Sequence, residues 1–208
     1  MIYLRGVNVF GHVYSCAGSI IHRAWGLTSG RCVAQRVLLM LSVGMVNINR
    51  PLLTFETSTY FTSPEYLDEL QPISQPFDIG LIGFNRDIPF NNFIQPIRLA
   101  RSADSDRNYN GVKMTTSGWG VTWTQGQTTD DLNWVHLTGI TNFVCLLVFN
   151  SNFLVRSSTI CAAPYNVTSQ SICSGDSGVP LTAIDVDGQI SQVGVGSFVS
   201  QFGCHVGM

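Results

Sequence analysis

The sequence is poor in charge. Charged residues make up only 12% of its 208 residues, Lys113 is the only lysine, and the formal net charge is −2. No run of lysine and arginine is present, which argues against a nucleic-acid-binding surface. Hydrophobic residues reach 45%, so the composition is that of a globular protein and not of a disordered one.

Long apolar runs are missing as well. The longest, residues 37–45, is interrupted by Ser42 and Gly44 and is too short to span a bilayer, so we expect no membrane partner. The chain does not open with a basic segment followed by an apolar one, and it therefore carries no recognisable signal peptide.

Metal-binding patterns are also absent. No C-x-x-C pair occurs and the four histidines are scattered, so we expect no metal and no cofactor. Six cysteines then indicate either disulfides of an oxidising compartment or reduced thiols, and a chain of this size favours disulfides. The sequon Asn166-Val167-Thr168 points to the same compartment. Six cysteines allow fifteen pairings, which sequence alone does not resolve.

Short segments rich in valine, isoleucine, threonine, phenylalanine and leucine alternate with glycine and proline. This pattern predicts an all-β barrel or sandwich, with isolated helical turns at 29–34 and 142–150. A polar stretch, 100–111, is interpreted as the connection between an N-terminal half, 1–99, and a C-terminal half, 112–208. Segments with strand character are 12–16, 37–46, 52–60, 79–84, 112–117, 140–147 and 192–199.

The stretch 173–181 is the one most suggestive of chemistry. Ser177 stands in a Gly-Asp-Ser-Gly turn whose small residues leave the backbone open. A nucleophile for acyl transfer needs an exposed oxygen and donors aimed where negative charge develops, and the N–H groups of Gly175 and Ser177 could supply those donors. The alternative is a plain surface turn, in which such residues are common. A base for Ser177 elsewhere in the chain would decide between the two.

Five segments in order resemble the trypsin/chymotrypsin (S1) family of serine endopeptidases. Their residues are most similar to those of insect and crustacean members. The resemblance covers nearly the whole chain and implies two six-stranded antiparallel β-barrels with the active site in the cleft between them. The segments are 15–21 (SCAGSII), 25–32 (WGLTSGRC), 78–82 (DIGLI), 117–120 (SGWG) and 173–181 (CSGDSGVPL).

The resemblance also implies roles for individual residues. Ser177 matches the nucleophile, Gly175 and Ser177 the oxyanion-hole donors, and Asp78 the carboxylate that orients the base. The implied disulfides are Cys16–Cys32, Cys145–Cys161 and Cys173–Cys204.

The base itself is where the sequence departs from the family. Arg31 stands where the general-base histidine is expected, and a guanidinium stays protonated and has no acceptor lone pair. We expect Arg31 instead to form a bidentate ion pair with Asp78 in the floor of the cleft. The alternative is that Arg31 points to solvent while Asp78 bonds to backbone or water. None of the four histidines, His12, His22, His136 and His205, falls in a motif that the family uses for catalysis.

The substrate pocket implied by the resemblance departs from trypsin-like members. Ser171 stands where a trypsin-like protein has aspartate, so a basic side chain would find no counter-charge. Ser197, Phe198 and Val199 match the strand that binds the substrate backbone, with phenylalanine for the usual tryptophan and valine where glycine is common. A narrowed pocket mouth predicts a preference for small or medium apolar side chains.

The family's Ile-Val-Gly-Gly start, its last strands and its C-terminal helix have no counterpart in this sequence. We therefore expect an incomplete first barrel and a second barrel without its final elements. Asp176, which in the family pairs with the new terminal ammonium, is expected to lack that partner.

Three functions remain open from the sequence. The first is a secreted serine-protease homologue that has lost its base and acts by binding a protease, an inhibitor or a peptide. The second is an active secreted endopeptidase, and the third is a non-functional fragment. In each case we expect a monomer without nucleic-acid partners.

Overall fold

A computed structural model describes residues 1–71, 73–122, 126–149, 153–166, 170–200 and 204. Strands dominate it: β1 (Ile2–Asn8), β2 (Val13–His22), β3 (Trp25–Thr28), β4 (Arg36–Val43), β5 (Leu53–Thr57), β6 (Tyr60–Thr62), β7 (Gly80–Gly83), β8 (Lys113–Gly118), β9 (Asn133–Ile140), β10 (Cys161–Pro164), β11 (Pro180–Ile184) and β12 (Ile190–Val195). The helices are α1 (Gly30–Val33) and α2 (Asn142–Phe149), with single 3₁₀ turns at Asp68–Leu70 and Ser102–Asp104.

The first seven strands form one antiparallel sheet in the order β5-β4-β1-β2-β3-β7-β6. β1 is an interior strand of this sheet, because Ile2 lies opposite both Gly18 of β2 and Val43 of β4. Side chains alternate along β1, so that Ile2 and Leu4 are fully buried between more exposed neighbours. The sheet curls around this buried row and forms the larger of the two main hydrophobic cores.

The last five strands form a second antiparallel sheet in the order β10-β9-β8-β11-β12. Met114, Leu137 and Leu181 lie at the centre of its core. A smaller cluster joins Ala17 of β2 to Val179, which directly precedes β11, and therefore packs one sheet against the other.

The predicted all-β class with two antiparallel β units is confirmed: in the described residues the sheets have seven and five strands, against a prediction of two six-stranded barrels truncated at both ends. The predicted strand 52–60 is interrupted at Ser58 and Thr59. The Thr57 hydroxyl donates to the Gly83 carbonyl at 2.8 Å and accepts the Thr59 N–H at 3.0 Å, which turns the chain. Consequently β5 pairs with β4, whereas β6 pairs with β7.

The predicted strand 140–147 is wrong beyond Ile140, because α2 follows, and the helical turn expected at 142–150 is the better description. Thr141 begins the helix: its hydroxyl accepts the Val144 N–H at 3.3 Å and its carbonyl accepts the Cys145 N–H at 3.0 Å. A threonine at this position satisfies helix donors that would otherwise lack a partner. Residue 150 lies outside the described residues.

The three disulfides are the predicted pairs. Cys16–Cys32 joins β2 to α1, Cys145–Cys161 joins α2 to β10, and Cys173–Cys204 closes a longer loop, with Cα–Cα distances of 6.1, 6.2 and 5.0 Å. Each is expected to stabilise the fold by about 2–4 kcal/mol.

Gln192 of β12 forms hydrogen bonds that connect the two sheets. The Ser19 hydroxyl of β2 donates to its Oε1 at 2.6 Å, and both residues are only 3% exposed. The Gln192 N–H donates to the Arg98 carbonyl at 2.8 Å, and its carbonyl accepts the Ala100 N–H at 2.9 Å. One residue thus fixes the first sheet, the connection and the second sheet relative to one another.

Removing the Ser19 hydroxyl should destabilise the protein, because the buried Oε1 of Gln192 would lose its donor. We expect Ser19→Ala to lower the free energy of unfolding by about 1–3 kcal/mol, measured by urea denaturation. Ser15→Ala is the matched control, since Ser15 lies on the exposed part of the same strand, and it should change stability by less than about 0.5 kcal/mol. Equal losses in the two variants would contradict a role for Gln192 in connecting the sheets.

Candidate active site

Asp78 lies between the two sheets, just before β7. Its side chain is only 4% exposed. The Ser197 hydroxyl donates to Oδ2 at 2.5 Å, and the backbone N–H of Arg31 donates to Oδ1 at 2.8 Å. Burial raises the pKa of this carboxyl, while the hydrogen bonds from Ser197 and Arg31 act in the opposite direction. Donors from α1 and from the segment after β12 therefore hold one buried carboxylate.

Tyr66 forms a wall of this site that no pattern in the sequence marked. It is 5% exposed, and its ring lies so close to Gly30 that a Cβ there would be 3.1 Å from Cδ2. Burial, with a further contribution from the charge of Asp78, raises the pKa of Tyr66 to about 12. Its ring helps to exclude water from the Asp78 carboxylate.

The Arg31 guanidinium lies beside Asp78 but forms no bidentate pair with it. Nε is 3.9 Å from Asp78 Oδ2, Nη1 donates to the Ser197 carbonyl at 3.3 Å, and the side chain is 23% exposed. The expected ion pair is present, but its expected bidentate geometry is wrong, because other donors already engage both carboxylate oxygens. The alternative of an arginine directed into solvent is also wrong.

The turn at Ser177 lies between the two sheets and forms hydrogen bonds on both sides. The Ala17 N–H of β2 donates to the Ser177 carbonyl at 2.8 Å, and the Gly178 N–H donates to the Gly196 carbonyl at 2.7 Å. Gly178 has φ +86°, and a Cβ there would lie 2.1 Å from the Ala17 carbonyl oxygen. Only glycine fits at this position, so the residue after the serine fixes how the turn meets β2.

Two backbone donors border Ser177. Gly175 has φ +94°, and its N–H and that of Ser177 form no hydrogen bond with any residue that the structure describes. Both residues are half-buried. These N–H groups are therefore available to donate to an oxygen atom of a ligand, as the donors of an oxyanion hole must be.

Asp176 supports the turn from the interior. It is 7% exposed, and its carboxylate accepts the Gly120 N–H at 2.8 Å and the Cys173 N–H at 3.0 Å. Burial raises its pKa, against the effect of these two hydrogen bonds. Among the described residues no ion pair with an ammonium is found for Asp176, as expected, and backbone donors engage its carboxylate instead.

The described histidines lie elsewhere. His12 is in the turn after β1, His22 ends β2 with Nδ1 accepting a backbone N–H, and His136 of β9 bonds through Nδ1 to a threonine hydroxyl. His205 lies outside the described residues. None of the three described histidines has a recorded contact with Ser177 or Asp78.

The predicted pocket residues fall into two groups. Ser197 and Phe198 line a mostly apolar cavity of about 460 Å³ beside Asp78, and Phe198 packs edge-on against Phe149 of α2 at 5.2 Å. Ser171 and Val199 do not line this cavity. The Ser171 hydroxyl is buried without a hydrogen-bond partner among the described residues, and Val199 packs against the cluster around Val179.

Two absences apply to the described part of the chain. No three or more histidine, cysteine, aspartate or glutamate side chains gather there as metal ligands. Neither of its helices has the length and apolar character needed to cross a membrane.

A buried carboxylate, a serine on a glycine-flanked turn and two free N–H groups between antiparallel sheets define the site of a serine-protease-like protein. Comparison with known proteins agrees: residues 3–207 match the Trypsin family model. The chain therefore belongs to the trypsin (S1) family, which confirms the resemblance drawn from the five segments.

Individual relatives show the same relationship. The chain is 30% identical to chymotrypsin-like elastase family member 1 of Rattus norvegicus, over 98% of this chain and 74% of that protein. It is 28% identical to the clotting factor G beta subunit of Tachypleus tridentatus, over 90% of this chain and 63% of that protein. A solved structure of HL collagenase superposes with a TM-score of 0.85 at 26% identity, covering 99% of this chain and 84% of that one.

Removing the Ser197 hydroxyl should destabilise the fold in a pH-dependent way. We expect Ser197→Ala to lose about 1–3 kcal/mol at neutral pH, because the ionised Asp78 loses a donor. The lost hydrogen bond lowers the pKa of Asp78, so its removal raises the folded-state pKa further above the unfolded value. The free energy of unfolding lost in Ser197→Ala should therefore be smaller at a pH of about 4, because protonation of Asp78 removes the charge that needs the donor.

Urea denaturation at the two pH values measures this difference. Ser197→Thr, which keeps a hydroxyl, is the control and should retain most of the stability. A loss of the same size at both pH values would show that the Ser197 hydroxyl does not act through the charge of Asp78.

Proposed function

We propose that this chain is a secreted trypsin-family homologue with impaired hydrolysis, which acts by binding a peptide or protein segment in the cleft between its sheets. One observation carries the proposal: Arg31 occupies the position of the base, and its backbone N–H binds Asp78. In this proposal the serine has no group among the described residues that can take its proton.

The Arg31 guanidinium cannot act as a base. It has five donors and no acceptor, and it remains protonated at any physiological pH. In subtilisin, a serine protease of another fold, losing the base alone lowers turnover on the order of 10⁶-fold. Oxyanion donors and binding can still give about 10³–10⁴-fold acceleration over water. A protein with Arg31 should thus be a poor protease that retains a binding site.

The remaining features suit a peptide ligand. The N–H groups of Gly175 and Ser177 offer donors, and the cavity beside Phe198 offers an apolar surface. Ser171 brings no charge to the predicted specificity pocket. We propose that the preferred side chains are small or medium and apolar, and that the partner is a peptide, an inhibitor or another protease.

The covalent chemistry supports secretion. Three disulfides account for all six cysteines, and such a set forms and persists in oxidising compartments. We propose an extracellular, monomeric protein.

The second candidate is an active endopeptidase. It is favoured because the other groups of the site are in place. Asp78 is already oriented by Ser197, the donors beside Ser177 are unoccupied, and the serine is half-buried at the surface of its turn. Only the base is replaced, so restoring a base should separate the two candidates.

Arg31→His should create hydrolytic activity, because a histidine at residue 31 would place a base beside an Asp78 that is already held. We expect kcat/KM on a peptide p-nitroanilide ending in alanine or valine to rise about 10²–10⁴-fold. The double variant with Ser177→Ala should lose the gain, and Arg31→Gln, which adds no base, should show none.

Two results would contradict the proposal. Rapid labelling of the unmodified protein by a fluorophosphonate at neutral pH would show that Ser177 is already activated. No gain in Arg31→His would show that more than the base is missing.

A further inference from the structure

The Arg31 guanidinium and the turn at Ser177 belong to one surface patch. Cys32, next to Arg31, has its Sγ 3.5 Å from the Ser177 carbonyl oxygen. Nη1 of Arg31 donates to the carbonyl of Ser197, and the residue after Ser177 donates to the carbonyl of Gly196 at 2.7 Å. Ser177 therefore lies between the two segments that position the arginine.

This patch presents donors to the cleft. The N–H groups of Gly175 and Ser177 are unoccupied by described residues, and the cation of Arg31 belongs to the residue next to Cys32, whose Sγ approaches the Ser177 carbonyl oxygen. The nearby carboxylates of Asp78 and Asp176 offset part of the positive charge, but they are 4% and 7% exposed. Their oxygens accept hydrogen bonds from inside the protein, so a ligand meets N–H groups and not carboxylates.

Charge distinguishes a peptide end from a continuous chain. A chain that runs through the cleft presents a neutral peptide carbonyl to these donors, and a neutral acceptor forms the weaker hydrogen bond. A chain that ends there brings a carboxylate, which matches a guanidinium and backbone donors.

We propose that the cleft captures the C-terminal α-carboxylate of a peptide in preference to an internal segment. The inference rests on the proposed binding function and names its ligand. One carboxylate oxygen accepts from the N–H groups of Gly175 and Ser177, and the other faces the Arg31 guanidinium. Backbone N–H groups of a turn are a known means of holding a terminal carboxylate. No bond is made or broken.

The test compares acetyl-Ala-Ala-Pro-Val with a free carboxylate against the same peptide with a C-terminal amide. Isothermal titration calorimetry at neutral pH should show the acid binding at least about tenfold more tightly, as expected for a charge-assisted hydrogen bond. Raising the salt from about 0.05 M to about 0.5 M should narrow the difference, because screening weakens the contribution of charge.

Variants assign the preference to Arg31. Arg31→Gln should bring the acid-to-amide ratio close to one, and Arg31→Lys should keep part of it, because the charge remains. Arg101→Gln is the matched control: it removes an arginine of the connection whose side chain is 50% exposed and pairs with Asp104, and the ratio should persist. Thermal unfolding midpoints verify that each variant is folded.

The outcomes separate the two proposals. Equal binding of acid and amide by the unmodified protein would overturn the carboxylate inference and leave peptide binding in place. Binding of neither peptide would overturn the proposed function and the inference together. Displacement of the acid by inorganic phosphate or acetate at equal concentration would reveal a simple anion site and would likewise overturn the inference.

Discussion

The part of the site around residue 31 depends on the burial of the Asp78 carboxylate between the two sheets. Removing an ion of this size from water costs several kcal/mol unless donors replace the solvent. Those donors come from α1 on one side and from Ser197 on the other, so both segments must keep their positions for the carboxylate to be tolerated. The location of residue 31 is therefore fixed by a main-chain hydrogen bond and not by its side chain.

The turn at Ser177 is organised independently of that carboxylate. Its carbonyl pairs with Ala17, the glycine after it has no room for a Cβ, and Asp176 beneath it accepts two backbone N–H groups. Because the turn is specified by packing and backbone pairing, its donors stand ready whether or not a base is present. The site thus combines an intact turn with an altered partner.

Sequence could predict the features that depend on short patterns with strict backbone demands. The turn around Ser177 and the all-β class belong to this group. The resemblance to the trypsin family supplied the role of Asp78 and the three cysteine pairs, which the sequence alone left open. Sequence could not predict that the Arg31 side chain would lie beside Asp78 while its N–H bonds the carboxylate, because several donors compete for the same two oxygens. The strand predicted over 140–147 was wrong for another reason. An apolar run without clear periodicity fits a strand or a helix, and the hydrogen bond of Thr141 at its start favours the helix.

The main-chain hydrogen bond from residue 31 to Asp78 has an evolutionary consequence. A backbone N–H is present for every residue except proline, so the carboxylate keeps this partner whichever side chain stands there. Arginine and histidine codons can differ by a single nucleotide. Within this framework a lineage can therefore lose or regain a proton acceptor through one point mutation, without first having to rebuild the site that surrounds it.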